Sequence, residues 1–184
     1  KAIILGDERH NVGRDTQWHY NQHLDVGAIW RDGGIIQYTA KDDSTANISF
    51  SAPIKIADED LEHTINHSAT PTGHYQQILD GSAVLPVLYL DGTHYTEISN
   101  GTIPWLHDSN VAVYNEITGG SGALTQLANS TFVNYWVLFS NDSVQPVKLV
   151  LGRAEHSTVA EAEAETFESY GLSLPEMVIG YKIV

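Results

Sequence analysis

The sequence predicts an all-β fold: an antiparallel β-sandwich or jelly-roll-like domain with one short helix near the C-terminus. Three observations lead there. Apolar Ile48, Phe50, Ala52, Ile54 and Ile56 alternate with Asn47, Ser49, Ser51 and Lys55, the period-2 pattern of a strand with one buried face. Roughly seven or more β-favouring runs are separated by Gly, Asp and Asn turns about every 8 to 12 residues. Only one segment, Thr158 to Tyr170, has the composition of a convincing helix.

Taken in order, Val26 to Trp30 and Ile35 to Ala40 flank Arg31-Asp-Gly-Gly34, where glycines supply positive φ, so the pair reads as a hairpin. Pro53, inside the alternating run, predicts an edge or a bulge, because proline cannot donate to a ladder. Asp58 to Asn66 fits a nine-residue helix with Asp58 as cap and Leu61 and Ile65 on one face, a marginal length. A second hairpin joins Val84–Leu90 to His94–Ile98 through Asp91-Gly92, and Val111–Ile117 is the next strand. Gly119-Gly-Ser-Gly122 reads as a flexible loop before a long strand, Thr131–Ser140, that pairs with Val144–Leu151 across Asn141-Asp-Ser143. Alternation along Phe132–Phe139 puts apolar side chains on both faces, the mark of a central strand, buried in this reading against another subunit. Ser157 caps the C-terminal helix in this reading and Gly171 ends it.

At 184 residues the chain reads as one β-rich domain, with a subdivision at 1–70 and 71–184 as the alternative. The absence of cysteine excludes disulfides and thiolate metal sites. Asp and Glu outnumber Lys and Arg by 23 to 9, and the formal charge of −14 argues against nucleic acid and anionic membranes as partners. No apolar run approaches the length of a membrane helix. Starting at Lys1 and ending on the strand-like Ile183-Val184, the sequence reads as a piece of a longer protein.

Chemistry-bearing residues are scattered. His19 with His23 and His63 with His67 share an i, i+4 spacing that lets two imidazoles face one divalent metal from a helix, and on a strand they would also share a face, with His10, Glu59 or Glu62 as third ligand. The competing reading makes them polar surface or interface residues, and no His-Glu-x-x-His pattern occurs at either place. Asp58-Glu-Asp60 with Glu62 lacks the spacing of a calcium loop. Asp91, Glu97, Asp108 and Glu116 are the carboxylates a glycosidase reading would draw on. A nucleophile elbow, a Walker loop and a dinucleotide fingerprint are all missing, so no catalytic residue is assigned and no cofactor is required. For a ligand face, Trp105, His107 and Asp108 near one predicted loop, with His94 and Tyr95 beside the Asp91-Gly92 turn, combine aromatic area with hydrogen-bonding groups; the alternative makes them core or subunit contacts.

The stretches Gly73-His-Tyr-Gln-Gln-Ile78, Leu85-Pro-Val-Leu-Tyr89, Ala112-Val-Tyr-Asn115, Val133-Asn-Tyr-Trp136, Gly152-Arg-Ala-Glu155, Ala160-Glu-Ala162 and Leu174-Pro-Glu176 lie within residues 71–184. In that order they resemble the C-terminal regions of bacteriophage tail-fibre and related receptor-binding virion proteins. The resemblance implies a virion location, a homotrimer, and non-covalent attachment to a host surface glycan or protein. A purely structural virion protein and a glycan depolymerase are the alternatives. Some phage fibres hold an axial metal through a His-x-His motif, which this sequence lacks.

Overall fold

A computed structural model describes residues 2–5, 8–11, 17, 21, 26–39, 46–58, 61–101, 107–108, 111–172 and 177–184. The described residues are mostly β-strands in antiparallel-rich sheets, with a short α-helix near the C-terminus, as the alternation and turn chemistry predict. No helix among the described residues is long and apolar enough to cross a membrane.

The N-terminal part supplies β1 (Ala2–Leu5), β2 (Glu8–Asn11), β3 (Ala28–Asp32), β4 (Ile36–Thr39), β5 (Asn47–Phe50), β6 (Ile54–Asp58), β7 (Leu61–His67) and β8 (Gln76–Gln77). β1 pairs with β2, β4 with β5, and a four-stranded sheet runs β3-β6-β7-β8. The remainder supplies β9 (Leu85–Asp91), β10 (His94–Gly101), β11 (His107–Asp108), β12 (Val111–Thr118), β13 (Ser121–Gln126), β14 (Tyr135–Ser140), β15 (Val147–Leu151) and β16 (Met177–Ile183). They form a five-stranded sheet, β10-β9-β15-β14-β16, and a three-stranded one, β11-β12-β13.

The larger of two core clusters joins strands of several sheets. Ile48 and Phe50 of β5, Ile54 and Ile56 of β6 and Ile65 of β7 meet Val87, Val137, Phe139, Val147 and Leu149 of the five-stranded sheet. The alternating run is therefore core-facing at both ends, but it is two strands. Its chain turns at Ser51–Pro53, and β5 and β6 enter different sheets. Pro53, lacking an N–H, marks a corner where a bulge or edge was expected.

The predicted hairpin across Arg31–Gly34 is not formed: β3 pairs with β6 and β4 with β5. Gly33 and Gly34 do take positive φ (73° and 67°), yet they carry the chain from one sheet to the next. A Cβ on Gly33 would lie 1.8 Å from the Pro53 carbonyl oxygen, so only glycine passes that corner. Tyr181 of β16 holds the crossing, its hydroxyl donating to the Gly34 carbonyl (2.9 Å) and accepting from the Ile36 amide (3.2 Å).

A helix over 58–66 is likewise replaced by β6 and β7 in antiparallel register, Ile54 opposite Ile65 and Asp58 opposite Leu61. Residues 61 and 65 share a face on a strand as well as on a helix, and strand pairing decides between them. Gly119-Gly120 makes the two-residue turn of a tight hairpin joining β12 to β13, both glycines at positive φ, where a flexible loop was expected. Gly122 then bridges to Gly92 through two backbone hydrogen bonds (2.7 and 2.8 Å), at a point where a Cβ would meet the Leu90 oxygen at 2.2 Å.

The β9–β10 and β14–β15 hairpins form as predicted. β14 lies inside the five-stranded sheet with both faces buried: Tyr135, Val137 and Phe139 enter the main core, while Trp136 and Leu138 enter a second cluster with Val150, Phe167 and Tyr170. This chain's own C-terminal segment covers the second face.

The predicted helix over 158–170 divides into α1 (Val159–Ala164) and a 3-10 turn, Phe167–Tyr170. Thr158, one residue beyond the expected Ser157, is the cap, in a reciprocal capping box with Glu161. The break has a packing cause. Residues i and i+3 eclipse in a 3-10 turn, which sends both the Phe167 and Tyr170 rings onto Trp136. Lys182 fastens the helix end, its ammonium donating to the carbonyls of Ala162, Glu163 and Glu165 (3.1, 2.6 and 2.9 Å). Lys182→Met, which keeps the stem and removes these donors, is expected to lower stability by about 1 to 3 kcal/mol, read from the urea midpoint. An unchanged midpoint would remove Lys182 from this role.

Candidate functional site

The outer face of the five-stranded sheet carries two kinds of chemistry. On one side Lys148, mostly buried, pairs with Asp142 (2.8 Å) and Glu97 (3.6 Å). Burial works against the Asp142 charge, but hydrogen bonds from Lys148 and from the Val144 and Gln145 amides outweigh it and hold the carboxyl below its ordinary range. On the other side, the 3-10 turn presents Tyr170 and the chain leaving β15 presents Arg153.

Arg153 follows Gly152, where a Cβ would stand 2.1 Å from the Asn134 carbonyl oxygen, so the backbone runs tight against β14 and lifts the next side chain outward. The guanidinium donates through Nη1 to the Tyr170 carbonyl (2.7 Å) and through Nη2 to the Tyr95 hydroxyl. It lies 4.7 Å from the Tyr170 ring centre and 6.0 Å from that of Tyr95. The Tyr170 hydroxyl accepts from Trp136 Nε1 and from the Arg153 amide, both at 3.1 Å. Beside this group lies an apolar depression of about 290 Å³ lined by Leu88, Tyr95, Val150 and Leu172.

Burial is the main cause that pushes the Tyr170 phenol up to about 12. The neutral phenol is thus favoured in the fold, whereas an unfolded chain ionises its tyrosine near 10. This contribution to stability is complete below about pH 10 and is lost as pH rises towards 12. Burial of Tyr135, whose hydroxyl donates to the Val113 carbonyl (2.9 Å), acts in the same direction. Denaturation midpoints should therefore fall across that window, and Tyr170→Phe should flatten part of the fall; a slope identical to wild type would count against the assignment.

A second cavity, about 370 Å³, is lined by Gln37, Ser49, Phe50, Ser51, Ala52, His67 and Asp80. Serine, histidine and aspartate meet here, but the hydrogen bonds argue against a nucleophilic triad. His67 Nδ1 accepts from the Leu79 and Asp80 amides (3.1 Å each), which places the ring proton on Nε2. A triad needs the reverse: a proton on Nδ1 facing the acid and a lone pair on Nε2 facing the serine.

Of the residues predicted to bind ligand, Tyr95 lies in the Arg153 groove. His94 is on the opposite face of β10 by alternation, its Nδ1 3.2 Å from Thr93 Oγ1. Asp108 is exposed on β11, where its carbonyl and carboxylate accept from Gln126 Nε2 (3.2 and 3.0 Å). Trp105 and the side chain of His107 lie outside the described residues, as do His19, His23, Glu59 and the side chain of His10.

The strand geometry separates the two histidines of the described pair. His63 and His67 are on a strand, where four residues span about 13 Å, too far for two imidazoles to meet one ion. His63 is buried with its ring 4.9 Å from that of Tyr75, and Glu62 pairs with Lys55 (3.4 Å). Among the described residues no three His, Cys, Asp or Glu side chains form a metal-binding group. Asp58 is buried and accepts from Asn141 Nδ2 (2.9 Å), a structural role. Of the glycosidase candidates, Glu97 pairs with Lys148, Glu116 accepts from Thr125 (2.9 Å) and Asp108 from Gln126; none of these lines either cavity, nor does Asp91.

No local pattern in the sequence marks Arg153, Tyr170, Leu88 or Leu172 as neighbours in a site. The signal available was scarcity: with 9 basic residues in 184, each one invites the question of its partner. Known protein families, curated protein sequences and solved structures give no match to this chain.

Proposed function

We propose that this chain is a non-catalytic binding module that attaches to a surface glycan, with its contact site at Tyr95, Arg153 and Tyr170. Supporting this is one observation above the others: a guanidinium held between two tyrosine rings at the edge of an apolar depression of about 290 Å³. Sugar rings present an apolar C–H face and a rim of hydroxyls. An open, shallow site with aromatic faces and fixed donors complements both. The resemblance in the motif order of residues 71–184 to phage tail-fibre tips favours the same reading, and a virion location and a homotrimer belong to that reading.

Binding of the intact protein to bacterial cells and to their isolated surface polysaccharide tests the reading. Tyr95→Ala, at an exposed position, should weaken binding tenfold or more while leaving the unfolding temperature nearly unchanged. A protein that binds neither cells nor polysaccharide would overturn the attachment role and leave a structural one. Light scattering should give a mass three times the 20.2 kDa chain; a clean monomer would count against the trimer.

A further inference from the structure

We infer that the groove takes a carboxylate-bearing sugar, a hexuronate-type ring whose acid group pairs with Arg153. The inference rests on the glycan reading above and narrows it to acidic glycans.

Charge is the first argument. The chain carries 23 acidic residues against 9 basic ones, so a partly buried cation should find an acid easily. Lys148 has Asp142 and Glu97, and Lys55 has Glu62. Arg153 is partly buried and, among the described residues, has no carboxylate: its partners are a backbone carbonyl, a phenol and two ring faces. A guanidinium cannot shed its proton to escape that situation.

The donor inventory is the second. A guanidinium has five N–H donors in a planar fork, and two hydrogen bonds are accounted for here, leaving three. Two parallel N–H groups match a carboxylate bidentately, and the charge-assisted pair is stronger than one to a hydroxyl. Tyr95 and Tyr170 hold the fork in place before any ligand arrives, so little side-chain entropy is lost on binding.

Shape is the third. Leu88, Val150 and Leu172 form an apolar floor next to the cation, and about 290 Å³ is close to the lower end of small-ligand sites. That space suits one ring laid on its C–H face with an anionic substituent at the edge. A longer apolar ligand would be short of room, and a carboxylate without a ring would leave the floor uncovered.

The test titrates isotope-labelled intact protein with glucuronate, galacturonate, glucose, galactose and acetate, following the Arg153 side-chain and Tyr95 resonances by NMR. Uronates are expected to shift these signals and to bind at least tenfold tighter than either the neutral sugars or acetate. Arg153→Gln should abolish the uronate preference while leaving weak neutral-sugar binding, and Arg153→Lys should restore only part of it. Equal binding of uronate and neutral sugar overturns the acidic assignment while the glycan reading stands. Acetate binding as tightly as uronate points to a peptide or other simple carboxylate and overturns the sugar. Absence of binding by every saccharide, together with failure to bind cells, overturns both readings. The wild-type comparison needs no variant to fold.

Discussion

Phe139→Ala is expected to lower stability by about 3 to 5 kcal/mol, a large share of the roughly 5 to 15 kcal/mol typical of a folded domain. The side chain is fully buried, and its ring makes edge contacts with Trp30 (5.4 Å between centres), Phe50 (6.1 Å) and Tyr181 (6.3 Å). These partners come from β3, β5 and β16, so one ring joins the N-terminal strands to the five-stranded sheet. Gly180 is shaped around it, since a Cβ there would sit 2.5 Å from the Phe139 ring. Truncation opens a cavity among side chains anchored on different sheets, which cannot all relax into it, and that places the cost at the upper part of the range. Phe139→Leu, which keeps most of the volume, should lose markedly less. Urea denaturation of both variants decides the point: a Phe139→Ala loss below about 1.5 kcal/mol, the usual scale of a volume-conserving core swap, would mean that the N-terminal strands and the five-stranded sheet are held together elsewhere.

Sequence patterning was most informative where cause and effect lie close along the chain. Asp91-Gly92 between two β-favouring runs, and the two-sided apolar alternation of Phe132–Phe139, each led to the observed strand and its neighbour because turn chemistry and pleat periodicity are local. The crossing at Gly33-Gly34 differs from the expected hairpin because positive φ suits a hairpin and a sheet-to-sheet corner equally well. What selects the corner is the Pro53 carbonyl, twenty residues away in sequence and 1.8 Å from a would-be Cβ. Leu61 and Ile65 share a face on either helix or strand, and only the register with β6 separates the two. The site was legible at Tyr95 alone. Arg153 meets Tyr170 across 17 residues and Tyr95 across 58, and no short motif spans such separations. The i, i+4 spacing of His63 and His67 has chemical meaning only after the backbone type is known.

Two buried side-chain amides form seams that no pattern announces, and removing them should be nearly as damaging as removing Phe139. Gln77 donates to the Val147 carbonyl (2.9 Å) and accepts from the Val147 amide (2.9 Å), with a further hydrogen bond to the Val84 carbonyl (2.8 Å). Asn115 does the same for Leu90, donating to its carbonyl (2.8 Å) and accepting from its amide (2.7 Å). In each case a side chain stands in for a missing strand, tying β8 to the start of β15 and β12 to β9. Each unsatisfied buried backbone group costs about 1 to 3 kcal/mol. Gln77→Leu and Asn115→Leu are therefore each expected to lower stability by about 2 to 5 kcal/mol. Asn115→Asp should be no milder, because it keeps the acceptor for the Leu90 amide but turns a carboxylate oxygen towards the Leu90 carbonyl. Hydrogen exchange provides the specific readout: the Val147 amide should lose protection in Gln77→Leu and the Leu90 amide in Asn115→Leu, each beyond the change at strand centres such as Val137. Uniform loss across all strands would show that these amides act only through global stability, and unchanged exchange at Val147 and Leu90 would remove the seams altogether.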